Sequence, residues 1–443
     1  MNNNGALIDR GRLTDFFLQG CVPEDSWRIG VEYEVFAVDP ATLHPLPYSG
    51  IKSVSRLLQQ LIPFGWKPVT ENEHLIGLEK QGARVSLEPG CQIEYSSAPT
   101  NSAAACCREI VGFVLLLKEA AASLGCAVLP TGYHPLCTPE DIPWAPKERY
   151  RIMSTYFKEK GGPLAHDMMK MTCSVQICLD YSDEQDFSQK FALAACLVPV
   201  LQAVCSNSPL VKAALSGYMT YRGFCWEHTD YDRCGIIEDA VKGRYSFSDY
   251  VTYLLEMPMI LKQEPSGPVA MNGLPFKKLL GLQQATAELW QNHMTFVFPE
   301  VRLRSYLELR MCDSLPLNLL PSLPALLRGL LYDREARNNL HLFFRDYTVS
   351  DVLEAYQAVH IMGLKAEFKG RPILETARDI LIVAEQGLKN LAGPLQKCCD
   401  DQILLEPLKE QLWEKACSPG EELVKLWKKT DKNLMKLKKH ILL

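Results

Sequence analysis

Polar side chains recur at every second position in the stretch from Arg84 to Pro99. Its even-numbered positions include Glu88, Gln92 and Glu94, whereas apolar side chains occupy Leu87, Ile93 and Tyr95 at odd ones. Side chains alternate across a β-strand, so this spacing predicts one strand with two carboxylates and an amide on the same face. Such a face lines a ligand cavity in one interpretation and is exposed to solvent in the other.

The same spacing recurs in three other segments that are far apart in the chain, residues 27–36, 172–181 and 301–310. Their polar positions are, in order, Glu32 and Glu34; Gln176 and Asp180; and Arg302, Arg304, Glu308 and Arg310. A single sheet whose polar face is turned toward one site explains all four segments most simply. The recurrence therefore favours a ligand cavity over a surface strand.

The glutamates of these segments predict a magnesium site. Carboxylate oxygens are the ligands that Mg²⁺ takes in proteins, and the ion can then hold phosphate groups. The predicted metal ligands are Glu32, Glu34, Glu88, Glu94 and Glu308. Structural ion pairs with Arg302 or Arg304 are the alternative for some of these carboxylates.

Other candidate binding residues flank these segments. Arg310 shares a face with Glu308 and can hold a carboxylate or a transferring phosphate through paired hydrogen bonds. Residues 209–245 are irregular, polar and aromatic, which is typical of binding loops. Arg222, Trp226 and Arg233 lie there as candidates for substrate binding, with surface ion pairs as the alternative for the arginines. Methionines near residue 169 either line a pocket or fill the core.

The overall composition excludes several classes of protein. The chain has 443 residues, 47% of them apolar and 22% charged, which is ordinary for a globular protein. A net charge of −5, without a basic stripe before the C-terminus, argues against nucleic-acid binding. No apolar run reaches the roughly 18 residues of a membrane span, and the N-terminus lacks signal-peptide features. We therefore expect a cytoplasmic protein.

The sixteen cysteines have no C-x-x-C spacing, and most lie in apolar runs. We interpret them as buried free thiols. The adjacent pairs Cys106–Cys107 and Cys398–Cys399 are interpreted as helix residues, with a redox-sensing pair as the alternative. The sequence also has no Walker A, dinucleotide-binding, zinc-protease or nucleophile-elbow motif. A carboxylate-lined sheet that holds Mg²⁺ against phosphates remains as a route to nucleotide binding.

The predicted site segments extend from residue 27 to residue 310, so we expect one catalytic domain over residues 1–393. Gly393–Pro394 is the predicted break before a helical appendage at 394–443. This tail is rich in lysine, with apolar residues such as Trp427 and Leu437 at helical spacing. We interpret it as a solvated helix that rests on the domain, with a membrane-surface or acidic-partner role as the alternative.

Taken together, these stretches resemble the plant-type glutamate–cysteine ligases and their bacterial relatives. The matching segments are Trp27–Glu34, Ser86–Glu94, Asp167–Met169, Val175–Gln176, Asp180, Asn207–Pro209, Gly217–Tyr218, Tyr221–Arg222, Trp226, Thr229–Asp230, Asp232–Arg233, Phe298–Arg302 and Tyr306–Arg310. The resemblance covers roughly residues 10–390. It implies an α+β, glutamine-synthetase-like fold, in which an antiparallel sheet curves around the active site and helices cover its outside.

The resemblance also implies a reaction. ATP and Mg²⁺ would convert L-glutamate to γ-glutamyl phosphate, which the amine of L-cysteine attacks, in a monomer or homodimer. The implied catalytic residues are Arg310 and Glu308, and the implied ATP-binding residues are Arg302 and Arg304. The implied substrate-binding residues are Arg222, Trp226, Arg233, Met169, Thr172, Gln176 and Lys170. Two alternatives remain open: a γ-glutamyl ligase with another amine acceptor, and a non-catalytic binding relative.

The chain departs from the family pattern at three places. Tyr33 stands where the family has histidine, Met171 stands where it has arginine, and residues 311–315 replace a glycine-rich loop. Methionine cannot supply the positive charge of an arginine. We therefore expect Lys170 or Arg222 to hold a substrate carboxylate instead, with a pocket that accepts a less anionic ligand as the alternative.

Overall fold

The computed structural model describes residues 7–392 and 400–443. Nine strands form one antiparallel sheet in the order β8-β9-β7-β1-β5-β4-β3-β2, and β6 pairs with the far end of β1. The strands are β1 (Ile29–Val38), β2 (Lys67–Glu71), β3 (His74–Lys80), β4 (Ala83–Leu87), β5 (Ile93–Ser96), β6 (Ala127–Leu129), β7 (Ser174–Leu179), β8 (Val301–Leu303) and β9 (Leu307–Asp313).

Helices cover the apolar face of this sheet. The longer α-helices are α1 (Val54–Leu61), α2 (Ala103–Ser123), α3 (Glu148–Lys160), α4 (Ala165–Met171), α5 (Glu184–Val204), α6 (Tyr221–Glu227), α7 (Phe247–Glu256), α8 (Phe276–Gly281), α9 (Ala287–Met294), α10 (Ser322–Tyr332), α11 (Arg334–Phe344), α12 (Val349–Met362), α13 (Ile373–Ala392), α14 (Pro419–Lys429) and α15 (Leu434–Ile441). Four two-stranded ribbons pair Leu210–Val211 with Ala214–Leu215, Cys234–Gly235 with Phe298–Pro299, Leu261–Glu264 with Gly267–Ala270, and Glu367–Phe368 with Arg371–Pro372.

The apolar positions of β1 show how the layers meet. Val31, Tyr33 and Val35 are buried on the side of the sheet where α2 and α10 pack against β1. Glu32 and Glu34 alternate with them and face the other way, as the period of a strand requires. The predicted α+β class, with an antiparallel sheet and helices outside, is confirmed.

Two of the four predicted site strands are hairpins, and this corrects the sequence analysis. Residues 84–99 form β4 and β5, joined by a turn that Glu88 closes by donating its N–H to the carbonyl of Gln92 at 2.9 Å. Pro89 has no N–H to donate to the hydrogen-bond ladder of a sheet, and the φ of +63° at Cys91 lies outside the strand region. Both residues therefore interrupt the predicted strand. Residues 301–310 likewise turn between β8 and β9.

The predicted polar face nevertheless survives both turns. Ser86 pairs with Glu94 across the first hairpin, and Arg302 pairs with Glu308 across the second. Each register pairs an even-numbered position with another even-numbered position. Because paired residues in a ladder point to the same face, the even positions stay together after the chain reverses.

The spacing of Leu13, Phe16 and Phe17 before Gly20 predicts a helix over residues 8–20, but the structure has no continuous helix there. The chain there forms a 3₁₀ turn at Arg10–Arg12 and a single helical turn at Asp15–Leu18. Within residues 7–392 and 400–443, one helix, α5, is long and apolar enough to cross a bilayer, but 89% of its most apolar window is buried inside the protein. It packs against β9 and α12, which accounts for its apolar composition.

The described part of the tail packs on the rest of the chain. Asp401 accepts a hydrogen bond from the N–H of Ala104 at 2.6 Å and pairs with Arg328 at 2.8 Å. Trp427 and Leu437 share an apolar cluster with Phe36 of β1. The predicted boundary at 393/394 and Cys398–Cys399 lie outside the described residues, so the division into two domains stays a prediction.

Candidate functional site

A cavity of about 490 Å³ lies against the polar face of the sheet. Most of the residues predicted for the site line it: Glu32, Glu34, Glu88, Glu94, Met169, Thr172, Gln176, Trp226, Arg302, Arg304 and Arg310. Glu308 lies directly behind this wall, in contact with two of the arginines. Residues from five strands of the sheet therefore converge on one place, as the recurring pattern predicted.

Glu34 is the centre of a fixed hydrogen-bond network. Its carboxylate accepts hydrogen bonds from the backbone N–H of Ser174 at 2.7 Å and from the amide of Gln176 at 2.9 Å. The Gln176 carbonyl oxygen in turn accepts a hydrogen bond from Arg310. On the far side, Ser314 donates its hydroxyl to the backbone carbonyl of Glu34 at 2.6 Å. The strands β1, β7 and β9 are thus tied together at the cavity wall.

Glu308 is neutralised by arginines. Arg302 donates to both of its carboxylate oxygens, and Arg310 lies 3.3 Å from one of them. Burial alone would raise the pKa of Glu308, but the charges of Arg302 and Arg310 outweigh it and lower this pKa to about 2. Glu308 is therefore ionised, and it orients both guanidinium groups.

The other four glutamates of the site have no arginine partner. Burial and, next, the charge of Glu88 raise the pKa of Glu34 to about 7 and that of Glu94 well above its usual range. Burial and the charge of Glu308 raise the pKa of Glu32 to about 7. Among the described residues, no lysine or arginine nitrogen lies within 4.0 Å of a carboxylate oxygen of these four glutamates. An added cation would stabilise their ionised forms.

The structure does not bring the predicted substrate-binding arginines of the irregular segment into the cavity. Arg222 is buried and donates to the backbone carbonyls of Arg310 at 2.9 Å and Met311 at 3.3 Å. Arg233 is fully buried and pairs with Asp230 at 2.6 Å. Their positions hold the backbone behind the site, so their predicted contact with substrate has no geometric support here.

Lys170 also lies away from the cavity wall. Its ammonium group is 4.7 Å from the ring centroid of Trp144, and burial lowers its pKa. Met171 is fully buried in an apolar cluster with Tyr133 and Ile142. The expected replacement of a missing arginine by Lys170 or Arg222 therefore has no support in this arrangement.

Three cations in the cavity wall were missed by the sequence analysis: Lys147, Arg149 and the exposed Arg84, which lies 4.0 Å from Glu79. Lys147 donates to the backbone carbonyl of Leu87 at 2.6 Å, and the guanidinium of Arg149 is 4.9 Å from the ring centroid of Phe296. Neither Lys147 nor Arg149 has a carboxylate within 4.0 Å among the described residues. The only signal in the sequence is the Lys-x-Arg-Tyr stretch that begins at Lys147, directly after the proline-rich residues 135–146.

Comparison with known proteins agrees with this geometry. The sequence profile described as Glutamate-cysteine ligase family 2 (GCS2) matches residues 28–436. This chain belongs to that family. The chloroplastic glutamate–cysteine ligase A of Oryza sativa subsp. indica is 35% identical over 384 residues, which cover 85% of this chain and 77% of that protein. The chloroplastic enzyme of Arabidopsis thaliana is 34% identical over 389 residues, which cover 86% and 74%.

A solved structure shares the fold. The glutamate–cysteine ligase of Francisella tularensis in complex with AMP superposes with a TM-score of 0.58 at 12% identity, covering 94% of this chain and 88% of that one. The family resemblance noted in the sequence is therefore confirmed, and the architecture is that of a ligase fold.

Proposed function

We propose that this chain is an ATP-dependent ligase that joins the γ-carboxyl group of L-glutamate to the amine of L-cysteine. The products are γ-glutamylcysteine, ADP and phosphate. The observation that carries the proposal is the cavity wall in which Glu34, Gln176 and Arg310 form one hydrogen-bonded row across three strands. Membership of the glutamate–cysteine ligase family supports the same reaction.

The reaction needs an activated carboxyl group, because a free carboxylate does not react with an amine. Transfer of a phosphoryl group from ATP gives γ-glutamyl phosphate, whose phosphate is a good leaving group. Such transfer depends mainly on positioning and on neutralising negative charge. Arg310 faces the cavity with its orientation set by Gln176 and Glu308, so it can hold the transferring phosphoryl group.

The residues of the site fit Mg²⁺. Glu32, Glu34, Glu88 and Glu94 offer oxygen ligands on one wall, and among the described residues no lysine or arginine nitrogen lies within 4.0 Å of their carboxylate oxygens. Burial and the charge of Glu88 raise the pKa of Glu34 and Glu94, so a bound cation would favour their ionised forms. When bound, Mg²⁺ supplies the charge that holds phosphate oxygens. Glu308 stays in the predicted ligand set, although Arg302 and Arg310 already share its charge.

The remaining wall suits anionic and apolar parts of the substrates. Lys147 and Arg149 line the cavity without carboxylate partners, so they can receive a substrate carboxylate or a phosphate. Arg302 and Arg304 are the proposed ATP contacts at the other end. Apolar side chains complete the wall and keep water from the acyl phosphate: Met153, Met168, Met169, Trp226 and Phe298.

Phosphate release tests the proposal. The purified chain, with ATP, Mg²⁺ and L-glutamate, should release phosphate rapidly only when L-cysteine is added, and mass spectrometry should show γ-glutamylcysteine. A panel of other amines is the matched comparison. Faster turnover with another amine would make this a γ-glutamyl ligase of different specificity, and no turnover with any amine would leave the non-catalytic alternative.

We also propose a cytoplasmic location, which the free thiols of the described cysteines support. The plant relatives named above are chloroplastic, so cell fractionation of the source organism is the appropriate test. Monomer and homodimer remain the two proposed assembly states. Light scattering of the purified chain distinguishes them by mass.

A further inference from the structure

A second cavity, which we call the tail cavity, lies where the C-terminal helices α14 and α15 meet the rest of the chain. Its volume is about 250 Å³, and none of the residues that line it also lines the cavity at the polar face of the sheet. Apolar side chains such as Leu319 and Leu423 form part of the wall, and amide and charged side chains form the rest. The tail cavity is therefore a separate place with room for a small molecule.

Two amide side chains of this wall, which are only 2% and 4% exposed, have unused acceptor atoms. The side-chain NH₂ of Asn207 donates to the carbonyls of Pro130 at 3.0 Å and Ser314 at 2.8 Å, and that of Gln411 donates to the carbonyl of Val204 at 2.9 Å. Because a backbone carbonyl can only accept, these bonds fix which end of each amide is the oxygen. Neither amide oxygen accepts a hydrogen bond from any of the described residues.

The charged groups of the tail cavity include one more carboxylate than ammonium. Lys415 pairs with Glu410 at 3.0 Å, whereas Glu422 of α14 has no lysine, arginine or histidine nitrogen within 4.0 Å among the described residues. The hydrogen bond to Glu410 and the charge of Glu422 both raise the pKa of Lys415, so one ammonium serves two carboxylates. With His440 counted as neutral at pH 7, the wall therefore carries an excess of negative charge.

We propose that the tail cavity binds a small organic ammonium ion with an apolar body. An ammonium group donates hydrogen bonds and accepts none, which matches a wall that offers the Glu422 carboxylate and the free oxygens of Asn207 and Gln411. The apolar body of the ligand lies against Leu319 and Leu423. An apolar cavity of about 150 Å³ holds benzene, so a cavity of about 250 Å³ suits a ligand of about ten non-hydrogen atoms.

The tail cavity is connected by hydrogen bonds to the strands of the catalytic site. Besides its bond to the carbonyl of Ser314, Asn207 donates its backbone N–H to Asp313 at 2.7 Å. Ser314 in turn donates its hydroxyl to the backbone carbonyl of Glu34 at 2.6 Å. A ligand bonded to Asn207 therefore contacts a residue that holds the end of β9 beside β1. Binding itself does not depend on the proposed ligase reaction, because the two cavities share no lining residue.

Calorimetry of the full chain with 2-phenylethylamine, in a buffer without amines or substrates, tests the site. This amine is a cation at neutral pH and should bind at least tenfold more tightly than 2-phenylethanol, which has the same shape without the charge. Glu422→Gln should remove that preference. The control Glu414→Gln, at an exposed position of the same tail outside this cavity, should bind like the parent. No preference for the amine in the parent, or an unchanged preference in Glu422→Gln, overturns the proposal.

A second measurement uses the unmodified chain and so does not depend on a variant that folds. In a crystal structure of the complex with 2-phenylethylamine, the nitrogen should lie within hydrogen-bond distance of the Glu422 carboxylate and of the side-chain oxygen of Asn207 or Gln411. An amine that binds elsewhere on the chain, or a tail cavity that stays empty at a saturating concentration, overturns the proposal. Ligase activity is assayed separately, so failure of the proposed reaction is distinguishable from failure of this site.

Discussion

The cavity has two ends that carry the same acidic residue in opposite electrostatic settings. At the arginine-paired end, formed by Arg302, Glu308 and Arg310, the pKa of the carboxyl group is lowered to about 2. At the carboxylate end, formed by Glu34, Glu88 and Glu94, burial and like charges raise the pKa of Glu34 to about 7. Both ends are buried in one polar face of one sheet.

The difference lies in where the compensating charge comes from. The arginine-paired end is complete within the chain, so its carboxylate can orient two guanidinium groups before any ligand binds. The carboxylate end is incomplete without an added cation, because buried like charges disfavour ionisation. Glutamates that look alike in the sequence therefore have different surroundings: Glu308 orients two arginines, and the others have no paired cation within the chain.

The largest effect is expected from Glu308→Gln. It leaves Arg302 buried beside an uncharged group, and removing one partner of a buried ion pair costs about 3–5 kcal/mol. The free energy of unfolding, measured by denaturant titration, should fall by that amount, and ligase activity should fall with it. Glu109→Gln, on the exposed face of α2, is the control and should change stability by less than about 0.5 kcal/mol. An unchanged unfolding free energy in Glu308→Gln would contradict the distinction between the two ends.

A smaller effect of a different kind is expected from Glu34→Gln. The amide keeps the shape and one accepted hydrogen bond but removes the charge that a metal ion needs. Activity should fall about 10- to 100-fold, because interactions with a charged group contribute about 1.5–3 kcal/mol. Thermal unfolding followed by circular dichroism should be nearly unchanged, since a buried repulsion is relieved. Near-parental activity at saturating Mg²⁺ would remove Glu34 from the metal site.

The pH dependence of stability should show the same asymmetry. Carboxyl groups whose folded pKa is raised hold more protons in the folded than in the unfolded state, so they favour folding below about pH 4.5 and lose that contribution as pH rises. For Glu32 and Glu34 this loss of stability continues as the pH rises through about 7, the pKa of both groups in the folded protein. The metal-free protein should therefore melt at a lower temperature at pH 8 than at pH 6, and Mg²⁺ should raise the melting temperature more at pH 8. Equal Mg²⁺ effects at both values would contradict the missing-charge argument.

The sequence predicted the polar face better than it predicted the strands. Period two survives a hairpin that pairs even positions with even positions, so Glu94, Arg302 and Glu308 were assigned to the correct face on strands that end earlier than predicted. Pro89 and Gly90 were the available signal for the first turn. Periodicity gives the face of a residue, and turn residues give the direction of the chain.

Ion pairs with Arg302 or Arg304 were the predicted alternative for some glutamates, but which arginine pairs with which glutamate could not be predicted from the sequence. Arg302, Arg304 and Arg310 are equivalent in the pattern, yet only Arg302 holds both oxygens of Glu308. Likewise, Arg222 and Arg233 carry the charge expected of substrate contacts, but their guanidinium groups bind backbone carbonyls and Asp230. These arginine contacts depend on which strands are neighbours in the sheet, and no local sequence signal specifies the strand order.

The smallest effects are expected at the carboxylate end, where Lys147 is one of the cations in the wall. Its pKa is lowered by burial, and its ammonium donates to the carbonyl of Leu87 rather than to a carboxylate. A substrate anion can therefore use its remaining donors. Lys147→Met should raise the apparent KM of L-glutamate or ATP about three- to tenfold, the loss of roughly one hydrogen bond, with kcat less affected.

Lys170→Met is the matched control, since it removes the same charge from a lysine that lies over Trp144 outside the cavity. Its KM values should stay within about twofold of the parent, with a small loss of stability from the cation–π contact. The reverse result, a large KM effect in Lys170→Met and none in Lys147→Met, would restore the role that the sequence predicted for Lys170. It would also mean that the substrate anion lies on the α4 side of the cavity, away from the carboxylate end.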